Sequence, residues 1–486
     1  MRFVNRENEL AFLSQLLEQA DLRGGQFILI YGRRRVGKTR LLRHWIAQTD
    51  LPATYWVAEK ENSAMQRRKF IAEFEQRPLR QTPLLDSWSE VWELVASQLG
   101  NKQHILVIDE LPYAAQADSA LLSSLQHAWD RHFENSNLIL VLCGSQMRVM
   151  ETLQFHQSPL FGRFTAQWQL EPLHFHSLAQ FFPQWSTEER IALYAIVGGI
   201  PAYLNWLYPE RNLVENIREA ILAPGSLFIA EPTFLLYDEV KEPQTYLAIL
   251  KAIGMGNHTL SAISNYALIG KTHLSSYLVR MQELRLIERR IPATVPSAKR
   301  RTSRQGRYHF SDPYFHFYFR FLAPFYDILP DDIEPVLEKV RSELRSFVEQ
   351  TAFERLSQQW VREQRKAGNL AFRPMIIGSH WSRKVQIDVV GINWESRDIL
   401  LGECKWGDHQ IGRGTLRELV EEKTAKVLAE LPHTSQDWTV YHVFFKRVRF
   451  SSSARQYANE HNVILVDLAA LEAGLNLPKS TTRTTD

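Results

Sequence analysis

The segment Phe27-Ile-Leu-Ile-Tyr31-Gly32-Arg-Arg-Arg-Val-Gly37-Lys38-Thr39, followed by Leu41-Leu-Arg-His-Trp-Ile-Ala-Gln48, decides how the first part of this chain folds. Phe27–Tyr31 is a short apolar run that reads as a buried strand, and Leu41–Gln48 reads as a helix. Between them stands Gly-x-x-x-x-Gly-Lys-Thr, in the strand–loop–helix context that a phosphate-binding loop requires. Gly32 and Gly37 let backbone N–H groups wrap phosphates at a helix N-terminus, where the peptide dipoles favour an anion. Lys38 is placed to neutralise the β- and γ-phosphates of ATP, and Thr39 to ligate Mg²⁺ through its hydroxyl. The competing reading is a basic glycine turn, and the flanking strand and helix count against it.

Working outward, Ile105–Ile108 and Leu138–Cys143 are further buried-strand runs separated by helical stretches. Parallel strands of this kind need crossover helices on both faces, so the first third is predicted to be α/β with a doubly wound parallel sheet. The strand at Ile105 ends in Asp109-Glu110. In a phosphate-loop protein Asp109 would hold Mg²⁺ and Glu110 would orient the attacking water. The strand at Leu138 ends in Gly144-Ser145, which puts Ser145 beside the γ-phosphate as a polar sensor or makes it a simple cap.

At 486 residues the chain has room for roughly three domains. Its 45% hydrophobic and 23% charged residues exclude a low-complexity or disordered chain. Lys+Arg 57 against Asp+Glu 54 is too balanced to announce a polyanion partner, so any such partner must be argued from local clusters. Apolar runs stay far short of the about 20 residues that span a membrane, and the opening MRFVNRENEL lacks the apolar core of a secretory leader. Only Cys143 and Cys404 occur, which excludes a disulfide framework and fits a reducing cytoplasm.

Five strings in order then resemble one family: Phe3-Val-Asn-Arg6-Glu7-Asn-Glu9-Leu10, the Gly32–Thr39 loop, Asp109-Glu110, Ser158-Pro-Leu-Phe-Gly162-Arg163, and Gly198-Gly199-Ile200-Pro201. The chain resembles the archaeal-type ATPases of the STAND branch, related to AAA+ proteins. The resemblance implies a purine-base contact near Arg6 and Glu7. It also implies a nucleotide-sensing lid turn at Gly199–Pro201 and a winged helix after the lid. Arg163 matches an arginine that could reach the γ-phosphate within the chain or from a neighbouring copy, and the second case would make the chain a homo-oligomer through the ATPase domain. Read from the residues alone, Arg163 could equally be a surface ion pair.

Helical spacing over Gln244–Arg290, two strand-like pieces (Arg285–Ile291 and Arg307–Phe310) and a loop with five basic and no acidic residues outline a winged helix. Lys271, His273 and Ser275 on its recognition helix, with Lys299, Arg300, Arg301 and Arg304 in the loop, would contact DNA phosphates. The alternative for this module is internal packing or a protein partner. The aromatic run Tyr314–Phe321 is read as core.

Strands Lys384–Gly391 and Asp398–Trp406 carry Asp388 and then Glu403-Cys404-Lys405. Two carboxylates and a lysine can bind Mg²⁺ and activate water for phosphodiester hydrolysis. The pattern resembles the PD-(D/E)xK nuclease core, with Glu354 matching the family's first acidic position. The same fold also scaffolds inactive copies.

The expected organisation is an α/β P-loop ATPase domain over 1–174, a helical lid over 175–225, and a winged helix over 226–327. A linker over 328–344, a restriction-endonuclease-like α/β domain over 345–470 and a disordered tail over 471–486 would follow. The expected function is an ATP-dependent switch controlling a Mg²⁺-dependent nuclease, with DNA as partner and no membrane. The rival is an ATP-dependent regulatory scaffold whose C-terminal domain only binds. A transcription regulator acting through the winged helix accounts less well for Asp388, Glu403 and Lys405.

Overall fold

The computed structural model describes residues 3–408, 410–432 and 437–476. It divides into two compact units, Met1–Leu173 with Ile200–Tyr203, and His174–Gly199 with Leu204–Asp486.

The first unit is built on five parallel strands, β1 (Gln26–Tyr31), β2 (Ala53–Val57), β3 (His104–Asp109), β4 (Leu138–Gly144) and β5 (Ala166–Gln169), in the order β2-β3-β4-β1-β5. The three central strands are buried on both faces, which is why their sequences are unbroken apolar runs. The edge strands β2 and β5 are only half covered and carry Thr54, Tyr55, Gln167 and Gln169, so no such run marks them. Register aligns Tyr31 with Gly144 and Ile108 with Leu142. The carboxyl ends of β1, β3 and β4 are therefore level, and Gly32, Asp109 and Ser145 emerge along one edge, where open α/β sheets bind ligands. Phe70, Trp88 and Trp92 fill one side of this sheet, and the indole N–H of Trp92 is satisfied by Ser124 Oγ at 3.2 Å.

The second unit begins in helices. One of them, Thr187–Val197, opens with a reciprocal capping box between Ser186 and Glu189. Helices Pro243–Gly254, Leu260–Ala267 and Lys271–Glu283 precede an antiparallel pair, β6 (Ile287–Arg290) and β7 (Arg307–Phe310). The aromatic run after Pro313 is buried, so it is core as the sequence suggests.

The linker expected over 328–344 is not what the structure shows. From Glu334 the chain is helical, passing through a π turn at Glu349–Phe353 to Ala367. Pro335 sits in the first turn, where a missing N–H costs nothing, so it starts this helix rather than interrupting a linker.

The C-terminal sheet holds β8 (Ile376–Trp381), β9 (Gln386–Asn393), β10 (Asp398–Lys405), β11 (Thr439–Lys446) and β12 (Val463–Val466), in the order β12-β11-β10-β9-β8. Pairing is antiparallel from β8 to β10 and parallel from β10 to β12. The tail expected from residue 471 is also corrected: a helix capped by Asp467 runs Leu468–Leu475. The stretch 477–486 lies outside the described residues. No helix among the described residues is long and apolar enough to cross a membrane.

His442 on β11 is buried against Thr424, at 2.9 Å. Burial, then the neighbouring His461, lowers its pKa to about 4. The unfolded chain takes up this proton near pH 6.5 while the folded chain does not. The stability His442 contributes is therefore present above pH 6.5 and lost as pH falls toward 4, by up to about 3 kcal/mol. Urea midpoints at pH 7 and pH 5 should show the loss in the parent and a smaller one in His442→Gln; identical pH dependence would mean that His442 is not its source.

Candidate functional site

The Gly32–Thr39 loop is shaped by what its glycines permit. A Cβ at Gly32 would stand 2.4 Å from the Leu170 carbonyl oxygen, and Gly37 has φ +96°, a left-handed conformation that side chains avoid. Lys38 opens the following helix, and its buried ammonium donates to the carbonyls of Gly32 (2.9 Å) and Arg33 (3.2 Å). Thr39 Oγ1 donates to Asp109 Oδ2 at 2.7 Å, so the two expected Mg²⁺ ligands do meet.

Tyr55 on edge strand β2 was not foreseen. Its hydroxyl donates to the same Asp109 oxygen at 2.6 Å, while Asp109 Oδ1 accepts the Glu110 N–H at 2.9 Å. Burial and the Asp109 charge push the Tyr55 phenol far above its ordinary value, so it remains a donor at any physiological pH. A residue 54 positions from its partner on a strand without an apolar run leaves no signal in sequence.

Glu110 holds φ 51°, a conformation that costs a non-glycine residue energy and occurs preferentially at functional sites. Its Oε2 accepts from Ser145 Oγ (2.9 Å) and from the Ser145 N–H (3.2 Å). The structure thus places Ser145 as the residue that aims Glu110. We predict that Glu110→Gln keeps ATP affinity but slows turnover by about a hundredfold or more, since the amide keeps the shape but orients water poorly. Comparing calorimetric affinity with steady-state phosphate release checks this; equal turnover would place the water on another group.

Pro201 is the first residue of helix Pro201–Asn205, and its Cγ is the nearest atom, at 3.9 Å, to where a Gly37 Cβ would stand. Pro201 thus lies beside the phosphate loop. Arg6 is buried, donating to Glu9 Oε1 (2.8 Å), the Val36 carbonyl (3.0 Å) and the Glu171 carbonyl (2.8 Å). It braces the phosphate loop, and its guanidinium is committed to protein acceptors rather than presented to a base. Arg163 makes a bidentate pair with Asp130, both bonds 2.7 Å, which is the surface ion pair that the residues alone allowed.

In the second unit, Leu274, Leu278 and Met281 face inward and Lys271, His273 and Ser275 outward. Ser275 Oγ donates to the Lys271 carbonyl at 2.9 Å within the helix. The basic loop between β6 and β7 departs from expectation. Arg300 turns back onto the carbonyls of Pro292 (2.8 Å) and Ile291 (3.2 Å), so it is a loop-former and not a phosphate contact. Lys299, Arg301 and Arg304 remain exposed.

On the C-terminal sheet, the antiparallel register that pairs Gly402 with Val389 brings Asp388 and Glu403 opposite one another. The Cys404 N–H donates to Asp388 Oδ2 at 3.0 Å. Glu403 is 4% exposed; its Oε2 meets Lys423 Nζ at 2.8 Å and Lys405 Nζ at 3.7 Å, while its buried Oε1 has no hydrogen-bond partner among the described residues. Burial first, then the Asp388 charge, pushes the Glu403 carboxyl up to about 7 against the pull of the two lysines. Burial and the Asp388 carboxylate hold Glu354 well above the carboxylate range too. Burial disfavours the Lys405 charge, but Glu403, Asp388 and Glu349 outweigh it and raise its pKa. Lys423, on the helical stretch after β10, is a second unforeseen member. Among the described residues no group of three or more His, Cys, Asp or Glu side chains is arranged to hold a metal.

Residues 3–207 match an ATPase domain predominantly from Archaea, and residues 318–426 match DUF234, described as archaeal and bacterial proteins of unknown function. The uncharacterized protein MJECL04 of Methanocaldococcus jannaschii is 32% identical over 407 residues, covering 84% of this chain and 88% of that one. Among solved structures, the Walker-type ATPase PABY2304 of Pyrococcus abyssi is similar at 20% identity and a TM-score of 0.48, over 65% of this chain and 96% of that one. The ORC2 protein of Aeropyrum pernix is similar at 14% identity and 0.47, over 69% and 95%. The chain therefore belongs to the family of MJECL04, and it carries an archaeal-type ATPase domain followed by a DUF234 domain.

Proposed function

We propose that this chain is a nucleotide-switched, DNA-directed protein whose ATPase domain controls a metal-dependent nuclease in the C-terminal sheet. The observation that carries the nuclease reading is Glu403: a buried carboxylate with one oxygen lacking a partner among the described residues, opposite a second carboxylate and beside two lysines. A buried orphan oxygen costs about 1–3 kcal/mol, more for a charged group, unless something binds it. A divalent cation fits that donor chemistry, with Asp388 and Glu403 as the residues that would hold it. Bound there, such an ion supplies a polarised water and charge neutralisation at a phosphodiester. Lys405 would stabilise charge developing on the scissile phosphate, and Lys423 would keep Glu403 in place.

In the ATPase domain, Thr39 and Asp109 would hold Mg²⁺, and Lys38 would neutralise the β- and γ-phosphates. Glu110, aimed by Ser145, would orient the attacking water. Pro201 beside the phosphate loop would report nucleotide occupancy, in the manner of a STAND switch.

One observation favours the binding-only alternative, namely two opposed carboxylates where a fuller metal site would gather three. Titrating the protein with Mn²⁺ in a calorimeter, without nucleotide, separates the readings. We expect binding that Glu403→Gln removes; no binding at millimolar Mn²⁺, or binding indifferent to Glu403→Gln, would favour the scaffold.

A further inference from the structure

The loop joining β6 to β7 does not stand out as a flexible wing. It is pinned along β8, the edge strand of the C-terminal sheet, at both of its ends. At one end the Ala293 N–H donates to the Ser379 carbonyl (2.8 Å), Thr294 Oγ1 meets His380 Nδ1 (2.7 Å), and Ala293 joins the core of the sheet with Val385 and Ile387. At the other end the Trp381 indole donates to the Gln305 carbonyl at 3.1 Å, and the Arg307 guanidinium lies 5.0 Å over the Trp381 ring.

This pinning juxtaposes two basic segments. Arg304 is adjacent to Gln305, and Arg383 lies two residues past Trp381, so each is one or two residues from the same hydrogen bond. Lys299, Arg301 and Arg304 on the loop and Arg383 and Lys384 in the β8–β9 turn are all exposed, and none has an ion pair among the described residues. Neither Ile291–Arg307 nor Gln364–Ile387 contains an acidic residue. Against the same strand, Glu430 is turned to His380 Nε2 at 3.4 Å. Unpaired cations a few residues apart lie within about one Debye length, so their fields add. Strand β9 then runs from the turn to Asp388, about 14 Å from Lys384 at the rise of an extended strand.

We propose that the loop and the β8–β9 turn form one cationic track for the phosphate backbone of duplex DNA, leading toward Asp388. The proposal rests on the DNA-directed reading of the C-terminal unit and adds the surface on which the duplex lies. Cations that contact phosphate oxygens give affinity without sequence preference.

The test is fluorescence anisotropy of a labelled duplex with the full chain in EDTA, across a series of salt concentrations. Two variants are compared with the parent: Arg383→Ala with Lys384→Ala, and Lys299→Ala with Arg301→Ala and Arg304→Ala. Each lost phosphate contact should flatten the log affinity against log salt slope by about 0.9 and cost roughly eightfold in affinity at 0.1 M salt. Arg383→Lys with Lys384→Arg should restore the parent slope, and unchanged melting temperatures show that the variants fold. Parent binding with an unchanged slope in the turn variant overturns the track while leaving DNA binding intact. A parent that binds no duplex at any salt overturns both the track and the DNA-directed reading.

Discussion

Replacing Lys38 by alanine should weaken ATP binding roughly ten- to a hundredfold and reduce hydrolysis by about a further two to three orders of magnitude. The first figure follows from losing charge-assisted hydrogen bonds of about 1.5–3 kcal/mol, and the second from removing a cation aimed at charge that develops during phosphoryl transfer. Lys38 is buried within its own loop and is held by the Gly32 and Arg33 carbonyls, which fixes its ammonium inside the loop proposed to take the phosphates. Calorimetry with ATP·Mg²⁺ and steady-state phosphate release measure the two effects separately. Affinity equal to the parent's would mean that nucleotide is held elsewhere.

The second large effect belongs to the opposed carboxylates. Asp388→Asn should remove both divalent-metal binding and DNA cleavage. Lys405→Ala should leave metal binding largely intact while lowering cleavage by about a hundredfold or more, the usual loss when one charge-stabilising donor is removed. The split follows from placement: Asp388 faces Glu403 across the β9–β10 ladder, whereas Lys405 touches Glu403 only at 3.7 Å from a partly exposed position. Mn²⁺ titration and plasmid nicking, run on both variants, check it. Loss of metal binding in Lys405→Ala would show that the lysine supports the carboxylates rather than the phosphate.

The parts of this molecule that were legible in its sequence are those written locally. The Gly32–Thr39 loop declares itself because strand, loop and helix are contiguous, and β3 and β4 because both of their faces are buried. Asp388 and Glu403 could be paired because they flank a hairpin, where a short connection fixes the register. What stayed hidden depends on contacts between distant residues. Tyr55 on Asp109, Ser145 on Glu110 and Lys423 on Glu403 each join separate elements through one side-chain atom. The loop after β6 misleads for a related reason. Its composition marks a basic wing, but Ala293 and Thr294, which pin it, are unremarkable in sequence and acquire meaning only against β8. Likewise Arg6 has the position of a nucleotide contact, yet its acceptors Val36 and Glu171 lie far along the chain and show it to be a brace.

Conversion of supercoiled plasmid to nicked or linear DNA by the full chain, with Mg²⁺ or Mn²⁺ and with ATP, a non-hydrolysable analogue or no nucleotide, bears on the whole proposal at once. A nucleotide-controlled nuclease should cut only with metal, at a rate that changes with the nucleotide supplied, and Asp388→Asn should not cut under any condition. Plasmid left intact by the parent in every combination, or cut equally well by Asp388→Asn, would contradict the nuclease assignment and leave the C-terminal sheet as a binding module.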